Sequence, residues 1–147
     1  ELLGRYDEVL ADLRSGAKTQ LDVVQAANPT ALLQTYSARP ASPGSTPCAW
    51  VDETRFELRH DAGTRQWAGE VDIMLVASGS DHEETAGVLD TLCALVVDRF
   101  SDVPHAFGSN TVAEPVRVRS GVVQIGDGVI YPAVVVTVGR FVYEEGR

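Results

Sequence analysis

The segment Trp67–Ala77, with the sequence WAGEVDIMLVA, constrains the fold of this chain more than any other. From Ile73 onward every residue in it is apolar. In an extended chain, both sides of the strand are apolar at this end, with Val71, Ile73 and Leu75 on one side and Met74 and Val76 on the other. A strand that is apolar on both sides needs cover on both faces of its sheet. The segment therefore predicts a central strand.

A long helix is predicted directly after this strand, from Asp81 to Phe100. Ser80 and Glu83 have the spacing of a capping box, in which each side chain bonds the backbone amide of the other residue. Asp102 and Pro104 end the pattern. The predicted helix has one apolar stripe, formed by Leu89, Leu92, Cys93, Val96 and Phe100. That stripe indicates a helix that packs along a sheet.

The N-terminus also has helical periodicity. Apolar residues recur at three- and four-residue spacing from Leu2 to Leu13, and Gly16 stands where a C-terminal cap is expected. A weaker pattern runs from Thr19 to Ala27 and fits either a helix or an ordered loop. It ends at Asn28-Pro29, because the residue before a proline avoids helical angles.

The remaining segments favour strands. Ala31–Ala38 predicts a short strand, and the proline-rich stretch 39–47 predicts an exposed connector. Further strands are predicted from Cys48 through Leu58, around a turn at Gly63, and in the C-terminal third at 116–119, 122–125 and 129–143, with a hairpin turn at 126–128. We therefore predict one α+β domain over residues 1–147, with one mainly antiparallel sheet, an N-terminal helix and one long helix packed on it.

The charge of the chain argues against several functions. A formal net charge of −9 is unfavourable for sequence-independent binding of DNA or RNA, which requires an excess of Lys and Arg. The acid is concentrated between Asp81 and Asp102, where six acidic residues accompany one arginine. No apolar run reaches the roughly 20 residues that a bilayer span needs, so we expect a soluble protein that does not enter a membrane.

No arrangement of reactive residues indicates catalysis or metal binding. The neighbours Asp81, His82, Glu83 and Glu84 point in different directions around a first helical turn, whereas facing ligands need a spacing of three or four. The three histidines, His60, His82 and His105, lie in no recognisable motif. Cys48 and Cys93 form no CxxC pair, a disulfide between them is left open, and Cys93 is predicted in the core. We expect no enzyme activity, no metal and no cofactor.

The order of these segments resembles that of a known family. A short helix and strand are followed by a proline-rich loop ending in PCAWV, a long hairpin into GEVDIMLVAS, an acidic-capped helix and a closing hairpin. This order is similar to that of the tail terminator proteins of long-tailed bacteriophages. The resemblance implies a structural protein of the virion tail or neck, assembled in the cytoplasm of the host bacterium. It further implies a homo-oligomeric ring, expected to be a hexamer, that ends tail-tube polymerisation and joins the tail to the head connector.

On that hypothesis the partners are other copies of the chain, the tail tube protein and the head–tail connector protein, with DNA only as passing cargo. Acidic residues of the long helix, Asp81, Glu83, Glu84 and Asp90, are candidates to line the lumen, where they would repel DNA. The alternative left open is that they only face solvent. Trp67 and Tyr143, near strand ends, are candidates for a subunit contact. The alternative functions are a small cellular ligand- or protein-binding module, with a pocket between sheet and helix, and a small hydrolase.

Overall fold

A computed structural model describes residues 2–4, 6–61, 63–78, 82–107, 112–126 and 128–145, of which residues 2–4, 61, 64, 82 and 143–145 are described by their backbone alone. The elements in chain order are β1 (Leu2–Gly4), α1 (Tyr6–Ala27), β2 (Gln34–Tyr36), β3 (Cys48–Asp61), β4 (Thr64–Val76), α2 (His82–Asp102), β5 (Glu114–Ile125) and β6 (Val129–Glu145).

The six strands in the described part of the chain form one mixed sheet. Its order is β1-β6-β4-β3-β2, and β5 lies beside β6. The pairs β3–β4, β4–β6 and β5–β6 are antiparallel, whereas the short strands β1 and β2 join the sheet in parallel. The fold class predicted from the sequence, a mainly antiparallel sheet with two packed helices, is confirmed.

Both sides of β4 are buried at its C-terminal end, as the sequence predicts. Val71, Ile73 and Leu75 pack on one side with buried residues of α1 and α2, such as Leu13 and Leu92. We call this side of the sheet the helix face. Because every second residue of a strand points to the opposite side, the intervening residues of β4 lie on the other side of the sheet, which we call the open face.

The open face has an apolar end. A second buried cluster lies there, made of Cys48, Trp50, Met74, Val76, Val123, Ile125 and Ala133. The connector between β2 and β3 reaches this end, since the Gly44 amide donates to the Tyr36 hydroxyl at 2.9 Å and a Cβ built on Gly126 would lie 3.0 Å from the Ala41 carbonyl oxygen. The connector has no helix or strand, as its prolines predict.

The predicted N-terminal boundaries are wrong in two places. Leu2–Gly4 is a strand that pairs with residues 143–145 of β6, and α1 runs through Gly16 without stopping. A Cβ built on Gly16 would lie 2.6 Å from the Ala106 carbonyl oxygen. This glycine therefore allows α1 to approach the chain that follows α2, and does not cap a helix. The helical alternative for Thr19–Ala27 is confirmed.

Other boundaries follow the sequence closely. The turn glycines Gly63, Gly126 and Gly128 have φ values of 82°, 65° and 94°, a conformation that favours glycine. Ser80, the predicted capping residue, and Asp127 lie outside the described residues. The strand predicted at Ala31–Ala38 is confined to β2, because only its middle pairs with β3.

Irregularities of pairing fall on one line across the sheet. The register shifts between Val51 and Thr54 in β3 and between Gly69 and Glu70 in β4. A third shift, between Pro115 and Arg117, lies at the same level in β5. Because bulges bend strands and increase their twist, we expect the sheet to bend along this line.

None of the helices in the described part of the chain is long and apolar enough to cross a membrane.

Candidate assembly surfaces

The acidic residues proposed for a lumen lie on the exposed side of α2. Glu83 and Glu84 are exposed in its first turn, where negative charge complements the helix dipole. Asp90 is exposed two turns later, and Asp81 lies outside the described residues. The structure thus brings three of the four predicted residues onto one element and leaves them accessible to a partner or to passing cargo.

Trp67 and Tyr143, the two aromatic residues predicted at a subunit contact, are paired across β4 and β6 in the sheet. The Trp67 ring lies 5.3 Å from the Tyr6 ring and 6.1 Å from the Phe56 ring, measured between centroids. Packing of this kind attaches the start of α1 to the β3–β4 hairpin. Only the backbone of Tyr143 is described, so its role at a contact stays a prediction, as does that of Trp67.

The outer edge of β5 is open. Among the described strands, β5 pairs with β6 alone, over residues 114–125. Val122 lies opposite Pro132 in the sheet. The carbonyl oxygen of Pro132 accepts a hydrogen bond from the backbone amide of Ala77, the residue that directly follows β4. The backbone of Pro132 therefore faces away from β5, so the N–H and C=O of Val122 point outward from the sheet. Such an edge can add a strand from another chain.

An apolar strip accompanies this edge on the helix face. Val118 is 50% exposed, Val122 is 72% exposed and Ile130, on the neighbouring strand, is 63% exposed. The three residues lie on one side, because Val118 pairs with the core residue Val136 and the others follow at two-residue steps. Beside the strip, a groove of about 190 Å³ separates α2 from β5 and β6, with Ala86 and Asp90 on its helix side. An exposed edge strand with apolar side chains is a surface that a partner normally covers.

The open face carries a buried carboxylate at the end away from the connector. Asp72 accepts two hydrogen bonds from the Arg55 guanidinium, at 2.5 Å and 2.9 Å, and one from the Thr137 hydroxyl at 2.8 Å. Burial disfavours its charged form, but these bonds outweigh burial and hold the pKa of Asp72 below its usual value. Sequence reasoning missed this network, although a single acid inside the apolar run of β4 was a visible signal.

Arginines surround this carboxylate. Arg55 also contacts Glu70 at 3.2 Å, and Arg117 contacts the same Glu70 carboxylate at 3.6 Å. A hollow of about 470 Å³ lies here along the hairpin of β3 and β4, with Arg59 and Arg140 among its lining residues. The open face therefore offers charged groups to a neighbour, in contrast to the apolar strip on the helix face.

Reactive groups do not converge in the described part of the chain. No group of three or more His, Cys, Asp or Glu side chains there has the arrangement of a metal site. Cys48 and Cys93 are free thiols, and burial raises the pKa of Cys48 to about 11. The pKa of Cys93 is raised by burial and by the nearby Asp90 carboxylate. Neither thiol is activated as a nucleophile.

Comparison with known proteins identifies a shared fold. The chain is similar to a chain of the virion of a native gene transfer agent particle, with a TM-score of 0.55 and 14% sequence identity. The match covers 90% of this chain and 96% of the other. No protein-family model matches the sequence, and no curated protein gives a significant match. The architecture described above is thus one that a virion component also has.

Proposed function

We propose that this chain is a non-enzymatic structural protein of a phage-like virion, of the tail terminator type. Copies of it would form a ring on the end of the tail tube, block further addition of tube subunits and present a new surface to the head connector. The observation that carries the proposal is the open, apolar edge of β5. A fold shared with a virion chain, over nearly the whole length of both, supports the same conclusion.

The mechanism of such a ring is geometric. One face of the ring covers the tube end, so that the next tube subunit has no site to occupy. Each copy must contact its neighbours through two different surfaces, because a head-to-tail contact closes into a ring whereas a self-complementary contact stops at a dimer. The exposed acids of α2, Glu83, Glu84 and Asp90, are our candidates for the lumen surface.

The assembly state of the purified protein tests the proposal. We expect light scattering coupled to size-exclusion chromatography to give a mass of several subunits, and negative-stain images to show rings. Addition of the protein to polymerising tail tubes is expected to stop their growth. A protein that stays monomeric and leaves tube length unchanged would instead favour the alternative of a small cellular binding module.

A proline at Val122 tests whether the β5 edge carries the assembly. Val122→Pro removes an outward-facing N–H without removing a bond to β6, because that N–H points away from the sheet. We expect Val122→Pro to lower the oligomer mass to that of a monomer with little loss of thermal stability. The matched variant Val122→Thr keeps the N–H and the β-branched shape, and we expect it to assemble. If Val122→Pro and Val122→Thr assemble equally well, the β5 edge is not needed for ring formation.

A further inference from the structure

The sheet has a second open edge, on the side opposite to β5. β2 covers only Cys48–Trp50 of β3, and Arg14 donates to the Val51 carbonyl oxygen at 3.3 Å. Beyond the bulge, no described strand pairs with the outer side of residues 54–61. We call this segment the β3 arm. The two open edges therefore lie at opposite ends of the strand order β5-β6-β4-β3.

We propose that β5 of one copy adds to the β3 arm of the next copy, so that the sheets of neighbouring subunits continue around the ring. This inference rests on the proposed function and names the seam that the ring would use. A contact between two different edges is head-to-tail, as a closed ring requires, whereas β5 against β5 is self-complementary and ends at a dimer.

The side chains of the two edges match on the helix face. β5 presents Val118 and Val122 there, and the β3 arm presents Leu58, whose register partner Trp67 packs toward α1. All three residues are large exposed hydrophobics in the single chain. Cross-strand pairs of β-branched and aliphatic side chains stabilise a sheet, and pairing of these edges removes the residues from water.

The two edges also match on the open face. Arg117 and Arg119 are exposed on β5, and Glu57 is exposed on the β3 arm, where its contact with Arg59 is as long as 3.8 Å. Joining β5 to the β3 arm brings these arginines to Glu57. Arg55 and Arg59 lie on the same side of the arm, but each of them already contacts a carboxylate within its own chain. Joining β5 to a second β5 instead brings two further arginines and no counterpart of Glu57, and like charges on neighbouring strands are destabilising. Charge therefore favours the head-to-tail pairing.

A cross-linking experiment distinguishes the two pairings. In a Cys93→Ala background, where the remaining Cys48 is buried and has a raised pKa, we would prepare Val122→Cys and Leu58→Cys as separate proteins of different mass. A short bismaleimide is expected to give covalent dimers that contain one copy of each protein when the two are mixed. Val122→Cys alone is expected to give none. Cross-linking of Val122→Cys with itself, or ring formation without a mixed cross-link, would overturn the seam while leaving the proposed ring intact.

A charge exchange gives a second test. We expect Glu57→Arg and Arg119→Glu each to shift the protein toward monomer by about tenfold in the dissociation constant, and the double variant to recover the wild-type mass, because the pair is then reversed across the seam. Circular dichroism melting of each variant would show whether a fold defect is the cause. A double variant that is no better than the singles, at unchanged melting temperature, would contradict the proposal, as would a wild-type protein that is monomeric at every concentration.

Discussion

At the scale of single residues, Asp72 shows how one buried charge is kept next to the apolar end of a strand. Its carboxylate receives three hydrogen bonds from two side chains, Arg55 and Thr137, that lie on the strands flanking β4. A buried carboxylate costs free energy unless its oxygens are bonded in this way. The sequence shows the acid but not its partners, because the partners depend on how β3, β4 and β6 align. The turn at Gly63 fixes part of that alignment, since it sets Arg55 opposite Glu70.

Replacing Asp72 by asparagine is expected to destabilise the protein. We expect Asp72→Asn to lower the free energy of unfolding at pH 7 by about 2–3 kcal/mol, because charged hydrogen bonds are lost and Arg55 loses its main partner. The pKa of Asp72 is lowered in the folded protein, so its stabilisation is complete above the unfolded pKa of about 4 and declines as pH falls through the folded value. The difference in the free energy of unfolding between Asp72→Asn and the wild type should therefore become smaller below pH 4.

Urea denaturation at pH 7 and at several lower values measures this difference. The matched control is Glu57→Gln, which makes the same change of charge at an exposed position with one long ion pair. We expect the control to change the free energy of unfolding by less than about 0.5 kcal/mol in the monomer. An Asp72→Asn difference that is independent of pH would show that the lost charge is not its cause.

At the scale of elements, periodicity predicts most of the strands and helices, and the errors have physical causes. Leu2 and Leu3 fit the helical stripe of α1, yet they form β1 because residues 143–145 of β6 offer a parallel partner. Gly16 has the residue type of a helix cap, but its neighbour is Ala106, in the chain that follows α2. Both errors come from contacts between distant segments, which local patterns do not contain.

Two helical glycines give opposite predictions for the same substitution. Gly16→Ala would place a Cβ 2.6 Å from the Ala106 carbonyl oxygen, and we expect a loss of about 1–3 kcal/mol of stability from the forced backbone shift. Gly87→Ala, in α2, would meet nothing within 4 Å, and we expect a gain of up to about 1 kcal/mol because alanine is the better helix former. Thermal melts of the two variants provide the measurement. Stabilisation by Gly16→Ala would mean that α1 and the chain after α2 do not approach this closely.

At the scale of the whole molecule, charge and apolar surface are sorted to different places. The helices α1 and α2 hold most of their acids on exposed turns, the open face of the sheet holds arginines, and the apolar strip follows the β5 edge. The sequence shows the acidic helix and the alternation of Val and Arg in β5. It does not show which strand stays at the edge of the sheet, because that depends on the order of all six strands.

Reversal of charge on α2 tests its proposed place in the lumen. We expect the combined variant Glu83→Lys and Glu84→Lys to assemble normally, because neither side chain lines the groove beside the apolar strip of β5, whereas Asp90 does and is left unchanged. Rings of this variant are expected to retain duplex DNA at low salt and to release it as salt rises, because the lysines would displace counterions from phosphates. Filter binding with labelled duplex measures retention. If the variant rings bind no more DNA than the wild type, the helix faces away from the lumen.

The exposed edge of β5 also has a consequence for storage of the purified protein, because we expect the monomer to aggregate and the ring to stay in solution. A long exposed strand with two protruding valines can template the growth of fibres. The proposed ring would leave no such margin, because the next subunit would occupy each open edge. We therefore expect a concentrated monomer to precipitate slowly and the assembled ring not to precipitate. Both outcomes would have the same cause, the accessibility of the β5 edge.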